Sequence, residues 1–254
     1  MPAFAGNIMK QILSILSYPV TVIFYLFFSL VLLIMHPIQW VCFNVFGYQA
    51  HKKSVDTLNF LILVCLRVLG TSYKIKKPKN LPNNTSIIFV SNHQSLWDIP
   101  PLVWHLRKFH PKFVSKIELG KGIPSVSYNL RHGGAVLINR KNPRQALTAM
   151  LKYANYLTEN NRSSIIFPEG TRSKTNEPKR FQRKGLELLL KKMPDAYVVP
   201  ITINNSWKLQ RYGMFPMPLG VCIKYEFHPV LKISDYEVEA LIDTVEAQIK
   251  SGIN

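Results

Sequence analysis

The chain has 254 residues, 47% of them hydrophobic, enough for one large domain or two small ones. Its 32 Lys and Arg against 14 Asp and Glu leave a net charge of +18, a surplus that attracts anions: nucleic acid, acidic headgroups or acidic carrier proteins. The cysteines Cys42, Cys65 and Cys222 have no metal-ligand spacing, nothing suggests a disulfide framework, and each reads as a small buried hydrophobe.

Residues 11–50 contain no Asp, Glu, Lys or Arg. Within them the run "PVTVIFYLFFSLVLLIM" is long enough to be a membrane helix. It is too long for a signal peptide, and no small-residue cleavage site follows it. A second apolar run, "LNFLILVCLRVLG", comes after the polar stretch "QAHKKSVD". "HPIQW" predicts a proline break between two helices. Lys10 stands before the apolar run and Lys52 and Lys53 after it, so the positive-inside bias does not separate the two ends. The expectation is a membrane-embedded helical hairpin that enters the bilayer and returns to the same side. Trp40 and Tyr48 would lie at headgroup level. Beside an uncharged segment, anionic lipid is a more economical partner than nucleic acid, each nearby Lys or Arg gaining about 1 kcal/mol. A basic nucleic-acid-binding or lipid-binding module would interleave its cations with exposed aromatics along one face, whereas these lysines cluster in loops.

The composition shifts near Gly70, which predicts membrane-anchoring helices over 1–70 and a second domain over 71–254. Strands are expected at "TSYKIKK" and "TSIIFVS", a helix across "WDIPPLVWHLRK" and a strand at "KFVS". A helical stretch near "YNLRHG", the strand "GAVLINR", the helix "PRQALTAMLKYANYLTEN" and the strand "SSIIF" follow. The helix "KGLELLLKKM", the strands "AYVVPITI" and "LGVCIKYEFHPV", and the closing helix "EVEALIDTVEAQIKS" complete the chain. Strands alternating with helices predict an α/β fold, a mostly parallel sheet flanked by helices.

The segment "SNHQSLWDIP" places His93 just past an apolar strand and Asp98 five residues on. Two readings fit. Ser95 and Asp98 have the spacing of a helix-capping box, with His93 an incidental loop residue. Alternatively, Asp98 points back from the first helical turn and accepts the imidazole N–H. That fixes the tautomer and leaves the other ring nitrogen as a base for an alcohol proton. Spacing alone does not choose, but ligands of open α/β sheets bind at the carboxyl ends of strands, where His93 falls. No G-x-S-x-G elbow, H-E-x-x-H, P-loop or cysteine cluster competes, and neither Ser91 nor Ser95 sits in a nucleophile elbow. A second strand breaks into "FPEGTRS", where Gly170 permits an unusual turn between Glu169 and Arg172. The planar fork of Arg172 suits two-point contact with a phosphate.

Four blocks in order, "NHQSLWD", "GGAVLINR", "FPEGTRS" and "VVPITI", resemble the glycerolipid acyltransferases, specifically the 1-acyl-sn-glycerol-3-phosphate acyltransferases. The resemblance covers roughly residues 72–229. It implies that His93 is the general base and Asp98 its orienting partner. It implies that Arg140, Glu169, Gly170, Thr171 and Arg172 hold the glycerol phosphate of lysophosphatidate, and that "VVPITI" lines the acyl site. Lys116, Glu118, Lys184 and Gly185 also look family-like. Asn139 departs from the pattern, where the family often has Asp. The implied reaction is direct transfer from an acyl-coenzyme A or acyl carrier protein thioester, with no cofactor or metal, at the cytoplasmic side of a membrane (the inner membrane in a bacterium). Glycerol 3-phosphate or another lysophospholipid is the alternative acceptor.

Overall fold

A computed structural model describes residues 2–78 and 80–254, and the side chains of all of these except residues 2–7 and Lys10. The charge of Lys10 therefore lies outside the described residues. The first helix, α1 (Pro2–Phe46), runs unbroken through Pro19 and Pro37. The break expected at "HPIQW" falls instead at Gly47, whose φ of 79° is a value glycine reaches without a Cβ clash. Contacts on both sides of Pro37 hold the helix through it. Ser125 donates to the carbonyl of Leu32 (2.7 Å) and through its N–H to His36 Nδ1 (3.1 Å), and Asn44 donates to Tyr128 Oη (2.9 Å). The polar stretch "QAHKKSVD" is the opening of α2 (Tyr48–Val68), which packs against α1. Cys65 is buried as expected, while Cys42 and Cys222 are half-buried.

The remainder alternates as predicted, apart from one short strand, β8, that was not expected: β1 (Ser72–Lys76), β2 (Ile87–Ser91), α3 (Ile99–Leu106), β3 (Lys112–Lys116), α4 (Val126–His132), β4 (Val136–Ile138) and α5 (Pro143–Glu159). Then come β5 (Ser164–Ile166), α6 (Arg183–Lys192), β6 (Tyr197–Asn204), β7 (Cys222–Phe227), β8 (Leu231–Lys232) and α7 (Val238–Ser251). The sheet order is β1-β7-β6-β2-β5-β3-β4, with β8 also on β6. Among the described residues, only the pairings of β6 with β7 and β8 are antiparallel. Pro200 lies in β6 where its antiparallel partner changes from β8 to β7, so no ladder donor is missed.

Side chains alternate across β2 into two cores. Ile87 and Phe89 join Phe24 and Leu32 of α1 and Leu58 and Leu66 of α2. Ile88 and Val90 join Leu157 of α5, Leu189 of α6 and Leu241 of α7. The N-terminal helices thus share a core with the sheet.

One buried charge stands apart. Lys112 opens β3 and is 7% exposed. Burial, reinforced by Arg162 and Lys52, holds its ammonium pKa down to about 7. The unfolded chain takes up this proton near pH 10.5 and the folded chain only near 7. Between those values the unfolded state binds more protons, so this group lowers stability as pH falls, and the loss is complete below about 7. In phosphate-free buffer at pH 7, Lys112→Met is expected to raise unfolding stability by about 3 kcal/mol. The gain should shrink toward pH 10. Denaturant unfolding at the two pH values checks this; a variant less stable than the parent at pH 7 contradicts it.

Candidate active site

Strands β2, β3, β4, β5 and β6 run in one direction, so their carboxyl ends share one edge of the sheet. The chain brings His93 and Asp98 there after β2, Lys116 and Glu118 after β3, Arg140 after β4, and Glu169 to Arg172 after β5. Ser206 and Gln210 follow β6 at the same edge. Asn92 anchors the loop to β6 by donating to the carbonyl of Ile203 (2.8 Å) and accepting its N–H (2.7 Å).

His93 Nδ1 lies 2.8 Å from Asp98 Oδ2. The same oxygen accepts the backbone N–H groups of Gln94 (2.8 Å) and Ser95 (3.0 Å). Ser95 caps the short turn Leu96–Asp98, and its side chain and that of Asp98 complete a capping box. The two readings of the motif are therefore both true: one carboxylate caps the turn and orients the imidazole. Because Asp98 is fully buried and acceptor-only, Nδ1 donates and Nε2 is left with its lone pair. The ring stacks on Phe167, centroids 4.2 Å apart, and is 16% exposed. Ser91 is fully buried with its hydroxyl donated to the carbonyl of Asn92 (3.0 Å), and Ser95 Oγ accepts the N–H of Trp97 (3.1 Å). Neither serine is poised as a nucleophile.

Support comes from a part of the chain that sequence reasoning missed. Ser206 donates its hydroxyl to Asp98 Oδ1, and its N–H goes to Gln94 Oε1 (3.1 Å). Gln210 Oε1 accepts both the N–H of Leu96 (3.1 Å) and Nη1 of Arg172 (3.3 Å), tying the arginine to the histidine loop. The available signal was topological: "NNSWKLQ" follows the strand "VVPITI", whose carboxyl end meets that of β2 only if the two run parallel.

The second motif divides. Both carboxylate oxygens of Glu169 are engaged by backbone: Oε1 by the N–H of His93 (3.0 Å) and Oε2 by that of Lys179 (3.0 Å). Glu169 is 3% exposed, and burial raises its pKa against the pull of those two N–H groups. It holds the two loops together from inside, and Ser173 N–H to the His93 carbonyl (2.8 Å) adds a second tie. Gly170 turns the chain at φ 69°. Thr171 Oγ1 and the Arg172 carbonyl both accept from Lys179 Nζ at 2.9 Å. Arg172 is half-buried and Arg140 exposed. Asn139 Oδ1 accepts the N–H of Lys141 (3.0 Å), a turn-closing contact that needs no charge. In "VVPITI", Val199, Ile201 and Ile203 face one core and Val198 the other. Lys184 is exposed on α6, and a Cβ at Gly185 would meet Met150 only at ordinary contact distance.

The comparisons with known proteins agree with one another. A family model described as Acyltransferase matches residues 72–204. A 1-acyl-sn-glycerol-3-phosphate acyltransferase of Helicobacter pylori is 34% identical over 176 residues, covering 66% of this chain and 71% of its own. One of Borreliella burgdorferi is 28% identical over 203 residues, 78% of each chain. The crystal structure of the 1-acyl-sn-glycerophosphate acyltransferase PlsC of Thermotoga maritima shares the fold, with a TM-score of 0.75 at 22% identity, over 97% of this chain and 95% of that one.

Proposed function

The chain belongs to the acyltransferase family, and we propose that it acylates the sn-2 hydroxyl of 1-acyl-sn-glycerol 3-phosphate to give phosphatidic acid. The observation that carries the chemistry is the 2.8 Å contact of His93 Nδ1 with the buried Asp98. The names of the relatives supply the acceptor. His93 Nε2 takes the hydroxyl proton as the oxygen attacks the thioester carbonyl. The carboxylate opposite stabilises the imidazolium that forms. Collapse of the tetrahedral intermediate expels the thiolate of coenzyme A or acyl carrier protein, and His93 returns the proton to it. The products are an ester and a free thiol.

Arg172 and Arg140 hold the acceptor's phosphate in this reading, since a guanidinium fork matches two phosphate oxygens. Replacing either by alanine is expected to raise KM for lysophosphatidate about ten- to hundredfold. Lysine should restore little, because it lacks the fork. Steady-state kinetics decides, and wild-type KM and kcat in both alanine variants would contradict the assignment. The proposed acceptor itself is tested by following thioester consumption with a panel of lysophosphatidate, glycerol 3-phosphate and lysophosphatidylcholine. Preference for lysophosphatidate is expected, and preference for another acceptor overturns it.

The features of α1 support an arrangement in which both ends of the apolar segment lie on one side of the membrane. Residues Gln11–Phe46 are long and apolar enough to cross a bilayer. Yet Thr21 Oγ1 accepts the N–H of Met217 (2.9 Å), and Tyr25 donates to the carbonyl of Met214 (2.7 Å). Phe24 is fully buried edge-on to Trp97. These contacts, with those of Leu32, His36 and Asn44, dock the helix lengthwise on the α/β layer for about 35 Å. The other face leaves Val22, Leu26, Leu30 and Leu33 49–67% exposed at helical spacing. A docked helix with an apolar outer stripe lies in one leaflet. Both ends then stay on the cytoplasmic side, where the thioesters are. Membrane-impermeant thiol labelling of cysteines placed ahead of Met1 and at the exposed Lys53, in a chain without native cysteines, checks this. Labelling of the two from the same side is expected; labelling from opposite sides means a full crossing.

A further inference from the structure

A second group of charges gathers at the other end of the sheet. β3 runs parallel to β5 and β5 to β2, so Lys112, its first residue, stands at the amino edge, about 13 Å of strand away from the catalytic edge. Lys112 Nζ lies 5.0 Å from the centre of the Tyr48 ring, and Arg162 Cζ lies 5.9 Å from the same centre. Arg162 Nε is buried with no hydrogen-bond partner among the described residues, and Lys112 makes no ion pair among them. Lys52 is already engaged, by Asp56 Oδ2 at 2.5 Å and the Arg107 carbonyl at 2.9 Å. His110 stacks on Tyr48 and bonds its Oη through Nε2 (2.9 Å). Burial and the neighbouring cations push the His110 pKa down to about 3, so the ring is neutral. A cavity of about 40 Å³ opens among these groups, lined by Tyr48, Lys52, Asp56, His110 and Lys112.

Three cations therefore face one carboxylate, and that carboxylate is spent on Lys52. Buried charges persist when they are paired; Lys112, buried, and Arg162, half-buried, have no carboxylate partner among the described residues. The surplus matches the charge of a phosphomonoester dianion. Guanidinium and ammonium groups are its usual protein partners, and one of each stands against the Tyr48 ring in the cavity wall. We propose that this cavity is a phosphomonoester-binding site, separate from the catalytic edge, held by Lys112 and Lys52 of its lining, with Arg162 beside it against the Tyr48 ring. Tyr48 and Lys52 belong to α2 and Lys112 to β3, so an occupant ties the N-terminal helices to the sheet. The ligand is either free phosphate or the headgroup of a phosphatidate-type lipid.

The test uses the full-length chain in detergent with Arg140→Ala and Arg172→Ala, so that phosphate held at the catalytic edge does not contribute. The thermal midpoint is followed as sodium phosphate replaces sodium chloride at matched ionic strength. A parallel set measures co-flotation with phosphatidylcholine vesicles with and without phosphatidate. A saturable rise with inorganic phosphate assigns the site to free phosphate. A response only to phosphatidate vesicles assigns it to the headgroup. Either response should weaken at least about tenfold in Lys112→Met and in Arg162→Gln. The arginine variant gives a second reading that is independent of the stability change expected for the lysine variant. Absence of both responses, or an undiminished response in a folded variant, overturns the proposal.

Discussion

His93→Ala is expected to lower kcat roughly a thousand- to ten-thousandfold while leaving the fold unchanged. The magnitude follows from what is removed: Nε2, the ring nitrogen left to accept the proton while Asp98 holds Nδ1. The fold survives because Asp98 keeps its other partners, the N–H groups of Gln94 and Ser95 and the hydroxyl of Ser206. The ring itself contributes one stacking contact, with Phe167. Turnover in membranes at matched expression, with circular dichroism of the purified variant, checks both halves. Activity within tenfold of wild type would leave Asp98 as a cap alone.

The second large effect is expected at Asp98→Asn, a loss of about a hundred- to a thousandfold, smaller than that at His93. An asparagine whose amide oxygen takes the place of Oδ2 still accepts from Gln94 and Ser95 and keeps the cap. Its NH2 then faces Ser206 Oγ, which turns to accept. What disappears is the negative charge that stabilises the imidazolium as the proton moves. KM for lysophosphatidate should stay near wild type, because Asp98 is fully buried and does not meet the acceptor. A kcat unchanged in a folded variant contradicts the orienting role. A thermal midpoint far below wild type would show that the carboxylate serves chiefly as the cap.

The alternation of strands and helices was legible because each element of the α/β layer carries its own periodicity and is bounded by proline, glycine or asparagine. Asn142 before Pro143 is an example, its side chain accepting the Gln145 N–H at 3.0 Å. The paired motif was legible for a local reason: His93 and Asp98 are five residues apart and one turn brings them together. Ser206 was not, since it reaches Asp98 across 108 residues of chain and only strand order makes them neighbours. The resemblance implied that Glu169 holds the glycerol phosphate, whereas its carboxylate is turned inward onto two backbone amides. The proline at 37 was read as a helix stop, but contacts at Leu32, His36 and Asn44 with the α4 region override the local preference.

The central claim, direct transfer by a histidine base without an acyl-enzyme, is tested most directly by rapid-mixing measurement of free thiol from acyl-coenzyme A. With lysophosphatidate present, thiol and phosphatidic acid should appear together in equal amounts. Without acceptor there should be no burst, since Ser91 and Ser95 are buried and hydrogen-bonded. A burst of one thiol per chain in the absence of acceptor would contradict the account.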